Sequence, residues 1–164
     1  MLPEEAVSSK DVVEYVGGEL VNSRLAMGFL VKAFLDRLGE ETIEIAKKAL
    51  YNSGSVVGRG LSKTVEEKSI PNLVRMMLAF PYKQIFDAKI EHLSEEKAVI
   101  HWRLCPLKEK FKEMGMSESE MRILCPILEQ YDVGIVEGFD NRFKCVPPKG
   151  PQGPCKCEIY LRKT

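Results

Sequence analysis

The residues best suited to chemistry are five cysteines, all after residue 104. Cys105 and Cys125 each precede a proline, whereas Cys145, Cys155 and Cys157 flank a loop rich in proline and glycine. Thiolates bind soft metal ions and act as nucleophiles, but neutral thiols also pack well as small apolar side chains. The sequence therefore predicts either one cysteine site or a set of buried core thiols.

A metal site is the first of these alternatives. Four sulfurs would suit a tetrahedral zinc or iron ion, and the candidate ligands are Cys105, Cys125, Cys145, Cys155 and Cys157. The sequence has no Cys-x-x-Cys pair, so the spacing permits such a site without requiring it.

The two Cys-Pro motifs predict the positions of two thiols relative to helices. Proline is favoured at the first helical position, so Cys105 and Cys125 are expected at helix caps, where free N–H groups lower a thiol pKa. For Cys125 this requires the helix to break at Pro126, which we favour. The alternative is a kinked, continuous helix in which Cys125 is a core residue.

The tail of the sequence alternates with the period of a strand. It predicts a hairpin of residues 142–146 against 155–162, with Cys155 and Cys157 on one face and Cys145 and Cys155 as near cross-strand neighbours.

Polar residues near the cysteines offer further chemistry. Glu129 and Asp132 follow Cys125 by four and seven residues, so one helical face can present all three, although a solvated face is the usual reason for such acids. His101 is expected on the polar face of a strand, as a surface residue or, alternatively, a ligand or general base. No dinucleotide or phosphate-loop motif is present, so no nucleotide cofactor is expected.

The elements that must position these residues are helices first and strands later. Helical periodicity covers residues 9–21, 24–38, 40–66 and 71–80, with Ser9 as the first cap. A hairpin follows, with Phe86, Ala88, Ile90 and His92 on the apolar face of its first strand, and the capping box at Ser117 starts a helix that extends towards residue 139. The sequence predicts a single α+β domain, residues 1–164, of N-terminal helices packed on an antiparallel sheet of about four strands. Its parts are a flexible lead (1–8), a helical half (9–80) and a hairpin–helix–hairpin half (84–164).

An apolar ligand pocket is the second predicted site. Gly54 and Gly58 lie on one helix face, which favours close backbone packing over clearance for a ligand. The residues predicted to line a pocket are these glycines with apolar neighbours: Gly54, Gly58, Met76, Met77 and Trp102.

The composition excludes several classes of partner. Basic and acidic residues number 24 each, so no bulk positive field favours nucleic acid. No apolar run reaches the length of a membrane span, and the acidic N-terminus lacks the features of a signal peptide. The expected location is the cytoplasm.

Two families resemble this sequence. The Gly54-x-x-x-Gly58 helix, a hairpin, a cysteine-bearing helix and the tail Gly153-Pro-Cys155-Lys-Cys157 resemble the 4-vinyl reductase domain. The same tail, with Cys105-Pro106 and with Cys125 followed by Asp132, is similar to L-2-amino-thiazoline-4-carboxylate hydrolase-like proteins. One alignment of the tail selects Cys157 as the conserved position, and the other selects Cys145 and Cys155.

The resemblance implies the fold of nitric-oxide sensor and vesicle-transport subunits, a small apolar or heterocyclic ligand, cysteine metal ligands and a homodimer. The first functional hypothesis is therefore a small-molecule-binding or sensor domain with an apolar pocket and a cysteine metal site. The alternative is a metal- or thiolate-dependent hydrolase or reductase acting on a small heterocyclic substrate.

Overall fold

The computed structural model describes residues 8–148 and 155–162, and within them it confirms the α+β architecture. The helices are α1 (Ser9–Leu38), α2 (Glu41–Ser62), α3 (Ile70–Met77), α4 (Tyr82–Ile85), α5 (Pro106–Glu113), α6 (Glu118–Leu128) and α7 (Gln130–Phe139). The strands are β1 (Ala88–Leu93), β2 (Lys97–Trp102), β3 (Phe143–Val146) and β4 (Lys156–Leu161). They form one antiparallel sheet in the order β1-β2-β4-β3. The lead predicted before Ser8 and most of the proline-rich loop lie outside the described residues.

Two apolar clusters hold these elements together. The first lies between the sheet and the helices α3 and α7, and the second joins α1 and α2 to α5 and α6. Cys145 and Cys157 belong to the first cluster, and Cys125 packs against the second. The helical half is therefore tied to the cysteine-bearing half by both clusters.

Helix α1 is longer than the sequence predicts. It runs without interruption from Ser9 to Leu38, where two helices were expected, and Ser8 rather than Ser9 caps it through a capping box with Asp11. The Gly17-Gly18 pair does not end the helix. At this point α1 packs against α4, where the side chain of Ile85 lies 3.5 Å from the position of a Cβ at Gly17. Tertiary packing thus outweighs the low helix propensity of glycine.

Helices α2 and α7 pack backbone to backbone through glycines. A Cβ at Gly54 or Gly58 would overlap the carbonyl oxygen of Tyr131 or Ile135 on α7. Gly134 and Gly138 on α7 meet the α2 backbone in the same way. This is the close-packing alternative of the sequence analysis, and α7 occupies the space that a ligand would need.

Strand β1 departs from the predicted apolar face. Ala88 is buried, but Ile90 and Leu93 are 38% and 42% exposed and His92 is exposed as well. The strand lies at the edge of the sheet, and its register shifts between Ile90 and His92. Ile90 lies before this bulge and is exposed because β1 is an edge strand. After the bulge, Leu93 rather than His92 lies opposite the buried Ala98, so His92 leaves the predicted face.

Candidate functional site

The structure divides the cysteines into two groups. Cys145 and Cys157 are buried, whereas Cys105, Cys125 and Cys155 are half-buried, and all five are free thiols. Two of the five cysteines therefore belong to the core, and three lie at its margin.

Cys145 and Cys157 form a pair in the dry core. Their Sγ atoms are 3.5 Å apart, and each side chain is only 3% exposed. The hydrogen bond with Cys157 and burial together raise the pKa of Cys145 well above its usual value, so this thiol stays protonated. The expected neighbour of Cys145 was Cys155, but β3 pairs Cys145 with Ile159, which places Cys155 beyond the end of the strand pair.

Cys155 instead lies beside the segment that leads to Cys105. Its carbonyl oxygen accepts a 2.8 Å hydrogen bond from the N–H of Trp102, three residues before Cys105. The structure thus brings the start of β4 to the end of β2, where α5 begins. This contact explains why the Cys155 thiol acts electrostatically on the pKa of Cys105.

Cys105 is the N-cap residue of α5, as its motif predicts, with Pro106 in the first turn. The predicted lowering of its pKa is wrong, because burial raises the pKa of the Cys105 thiol. The backbone N–H groups of Lys108 and Leu107 act in the opposite direction, and the nearby Cys155 adds to the increase.

Cys125 is not at a helix cap. Helix α6 continues through Pro126 to Leu128, with Glu129 as its C-cap, so the continuous-helix alternative applies. The exposed residue Arg122 lies one turn earlier, and water can solvate the carbonyl that Pro126 leaves without a donor. Burial, followed by the charge of Glu129 and the nearby thiol of Cys105, raises the pKa of Cys125 to about 12.

Two acids complete this region. Glu129 stands between α6 and α7, where its N–H bonds to the carbonyl oxygen of Cys125, and burial together with Asp132 raises its pKa to about 7. Burial also raises the pKa of Asp132, although Arg24 lowers it. Half of the Asp132 side chain is exposed, so water moderates the rise.

We call Cys105, Cys125, Glu129, Asp132 and Cys155 the thiol recess. These residues come from α5, α6, the α6–α7 junction, α7 and the start of β4. Lys108 faces the same region, since its charge lowers the pKa values of Cys105 and Cys125. The spacing of Glu129 and Asp132 from Cys125 predicted that these acids lie near the thiol. No sequence pattern around Lys108 predicted that its charge acts on the cysteines.

The predicted metal ligands are not arranged for a metal ion. In residues 8–148 and 155–162, no group of three or more His, Cys, Asp or Glu side chains has the geometry to hold one. Cys145 and Cys157 offer only two ligands in a dry core. The zinc or iron site therefore stays a prediction.

His101 has the surface position expected from its strand. Its Nδ1 lies 3.3 Å from Glu91 Oε1, and Lys156 Nζ lies 2.6 Å from the other oxygen of the same carboxylate. This ion-pair cluster is on the face of the sheet opposite the core, away from the thiol recess.

The residues predicted to line an apolar pocket lie in packing contacts. Gly54 and Gly58 meet α7, while Met76, Met77 and Trp102 pack against the first apolar cluster. A separate open groove of about 620 Å³ runs between α1 and α5, beside Leu104 and Pro106, and none of the five lines it. A pocket at the five predicted positions stays a prediction.

One solved structure defines the fold class. Trafficking protein particle complex subunit 3 from Naegleria fowleri, in a crystal structure covalently bound to palmitic acid, matches with a TM-score of 0.52. The match covers 87% of this chain and 95% of that chain at 16% identity, so it shows a shared fold. It confirms the expected similarity to vesicle-transport subunits.

The family follows from the sequence match. The model of the L-2-amino-thiazoline-4-carboxylic acid hydrolase family matches residues 20–145, and the chain belongs to this family. One of the two resemblances is thereby confirmed, while that to the 4-vinyl reductase domain stays a resemblance. No curated protein matches the sequence. No helix in the described part of the chain is long and apolar enough to cross a membrane.

Proposed function

We propose that this chain is a cytoplasmic small-molecule-binding domain whose ligand occupies the thiol recess. The observation that supports this most directly is the convergence of titratable groups from separate elements. Asp132 raises the pKa of Glu129, and Glu129, Cys105 and Cys155 all raise that of Cys125. Half-buried polar groups that converge in this way are typical of ligand sites.

The ligand we propose is a small heterocycle like the one in the family's name. Protonated thiols are weakly polar and suit a sulfur-containing ring, and the acids can bind its nitrogen substituents. Lys108 adds a positive charge on the α5 side of the recess.

A ligand footprint tests this binding site. We expect L-2-amino-thiazoline-4-carboxylic acid to slow alkylation of Cys105, Cys125 and Cys155, measured residue by residue with iodoacetamide and mass spectrometry. The core pair Cys145 and Cys157 provides an internal control, since burial keeps both thiols slow with or without ligand. Bound ligand with unchanged labelling of all three recess thiols would show that the site lies elsewhere.

Hydrolysis is the second candidate function, and Glu129 favours it. A carboxyl whose pKa is about 7 can both accept a proton from water and return it near neutral pH. The thiols are poorer candidates for a nucleophile, because burial keeps Cys105 and Cys125 protonated. We therefore propose Glu129 as the general base that activates water, which the pH dependence of kcat/KM in the wild type and in Glu129→Gln would test.

A bound metal ion would change the role of the thiols. Zinc or iron held by Cys105, Cys125 and Cys155 would require these side chains to move together and lose their protons. We expect elemental analysis of protein purified without chelator to decide between a metal-bound and a metal-free recess. A stoichiometric metal that Cys125→Ala removes and Cys145→Ala retains would support this site, and protein without metal that still binds the ligand would reject it.

A further inference from the structure

Arg24 on α1 stands out because its guanidinium is nearly enclosed but weakly engaged. Its side chain is 17% exposed, and its Nη2 lies 3.8 Å from Asp132 Oδ1, too far for a hydrogen bond. Among the described residues, no hydrogen bond satisfies any of its five N–H donors. A guanidinium in such surroundings normally holds a carboxylate or phosphate through paired hydrogen bonds.

The orientation of this guanidinium is fixed by Tyr131. The Cζ atom of Arg24 lies 4.2 Å from the centre of the Tyr131 ring, in a cation–π contact. Since one face is covered by the ring, the N–H donors at the edge stay available. Tyr131 is held in turn, because its backbone packs against Gly54 on α2.

Solvent reaches this ion pair from the Asp132 side. Asp132 exposes half of its side chain, whereas Arg24 exposes 17%, so a ligand would approach the guanidinium past Asp132. Asp132 also influences Glu129, which places this ion pair beside the thiol recess.

We infer that Arg24, stacked on Tyr131, is the subsite that binds the carboxylate of the ligand in the thiol recess. The ligand oxygens would take the two parallel N–H donors at the edge of the guanidinium, which Asp132 approaches but does not bond. This inference rests on the proposed function and extends it, since it assigns the residue of this chain that would hold the carboxylate of the ligand. Planar carboxylates fit the guanidinium edge better than the point charge of a lysine would.

The test compares two ligands that differ only in the carboxylate. L-2-Amino-thiazoline-4-carboxylic acid and 2-amino-thiazoline are titrated by calorimetry into the wild-type chain, Arg24→Gln and Arg24→Lys. We expect Arg24→Gln to weaken binding of the acid by about 10- to 100-fold. Arg24→Lys, which keeps the charge but loses the two parallel donors, should weaken it by a smaller factor. Neither variant should change binding of the compound that lacks the carboxylate.

Arg122→Gln is the matched control. Arg122 is an exposed arginine on α6, and it too has only a loose 3.9 Å ion pair, with Glu118. Its loss should leave both affinities unchanged, whereas equal losses in both arginine variants would indicate a general charge effect and overturn the inference. Equal binding of the acid to wild type and Arg24→Gln would also overturn it, while leaving the proposed function intact. If neither compound binds the wild-type chain, the proposed ligand class fails and the inference with it.

Discussion

Gly54→Ala is expected to destabilise the chain by at least about 3 kcal/mol, because the added methyl group would enter the backbone of α7. Its Cβ would overlap the carbonyl oxygen of Tyr131 and lie 3.1 Å from the Ile135 amide nitrogen. Backbone atoms cannot rotate away as the end of a side chain can, so the two helices would have to separate. Urea unfolding followed by circular dichroism measures the change in the free energy of unfolding.

Gly60→Ala is the control in the same helix. Nothing lies within 4 Å of a Cβ at Gly60, so the substitution should be neutral or stabilise the chain by up to about 1 kcal/mol through helix propensity. Similar losses in the two variants would mean that the α2–α7 contact is not the cause. Since α7 also carries Asp132 and the Tyr131 ring, we expect Gly54→Ala to weaken ligand binding as well.

Local signals predicted much of this fold. The capping box at Ser117 marks the start of α6, where Ser117 and Glu120 exchange hydrogen bonds. The spacing of Gly54 and Gly58 favoured a close backbone contact, and the structure contains one. Gly134 and Gly138 repeat that spacing in the sequence, so the partner helix was also open to prediction.

The cysteine geometry could not be predicted in the same way, because it depends on strand register. A short hairpin turn fixes its register, but the long connection after Val146 leaves the register to packing. The observed pairing of Phe143 with Leu161 buries Phe143 and Ile159 in the first apolar cluster. It also carries Cys155 away from Cys145 and towards Cys105, a contact across about fifty residues that no local pattern indicates.

The position of Arg24 beside the recess also depends on a contact between residues far apart in the sequence. Arg24 lies 107 residues before Tyr131 in the sequence, and within its own helix it resembles any polar residue of an amphipathic face. Only the packing of α1 against the start of α7 reveals the stacked guanidinium. Residue types near the cysteines thus predicted the acids of the recess but not the cation opposite them.

Glu129→Gln is expected to make the chain more stable at high pH. The pKa of Glu129 is about 7 in the folded chain and near 4.5 without these contacts, so the folded state binds more protons between these values. The contribution of this group to the free energy of unfolding therefore falls as pH rises from 4.5 to 7, and below 4.5 the contribution is absent. At pH 8 the free energy of unfolding of Glu129→Gln should exceed that of the wild type by about 1–3 kcal/mol. Near pH 4.5 the two free energies should agree.

Urea unfolding at pH 4.5, 6 and 8 measures this difference, with Glu109→Gln as the control. Glu109 is an exposed glutamate on α5 with a loose 3.9 Å ion pair to Lys112, so its loss should not produce the same pH-dependent gain. If Glu129 is also the general base, kcat/KM of the wild type should rise with pH through about 7, and Glu129→Gln should lower it by about 10²- to 10⁴-fold. A variant that gains stability but keeps its activity would show that Glu129 is buried in the recess without acting as the base. The stability profile and the rate profile thus separate the electrostatic cost of this carboxyl from its chemical role.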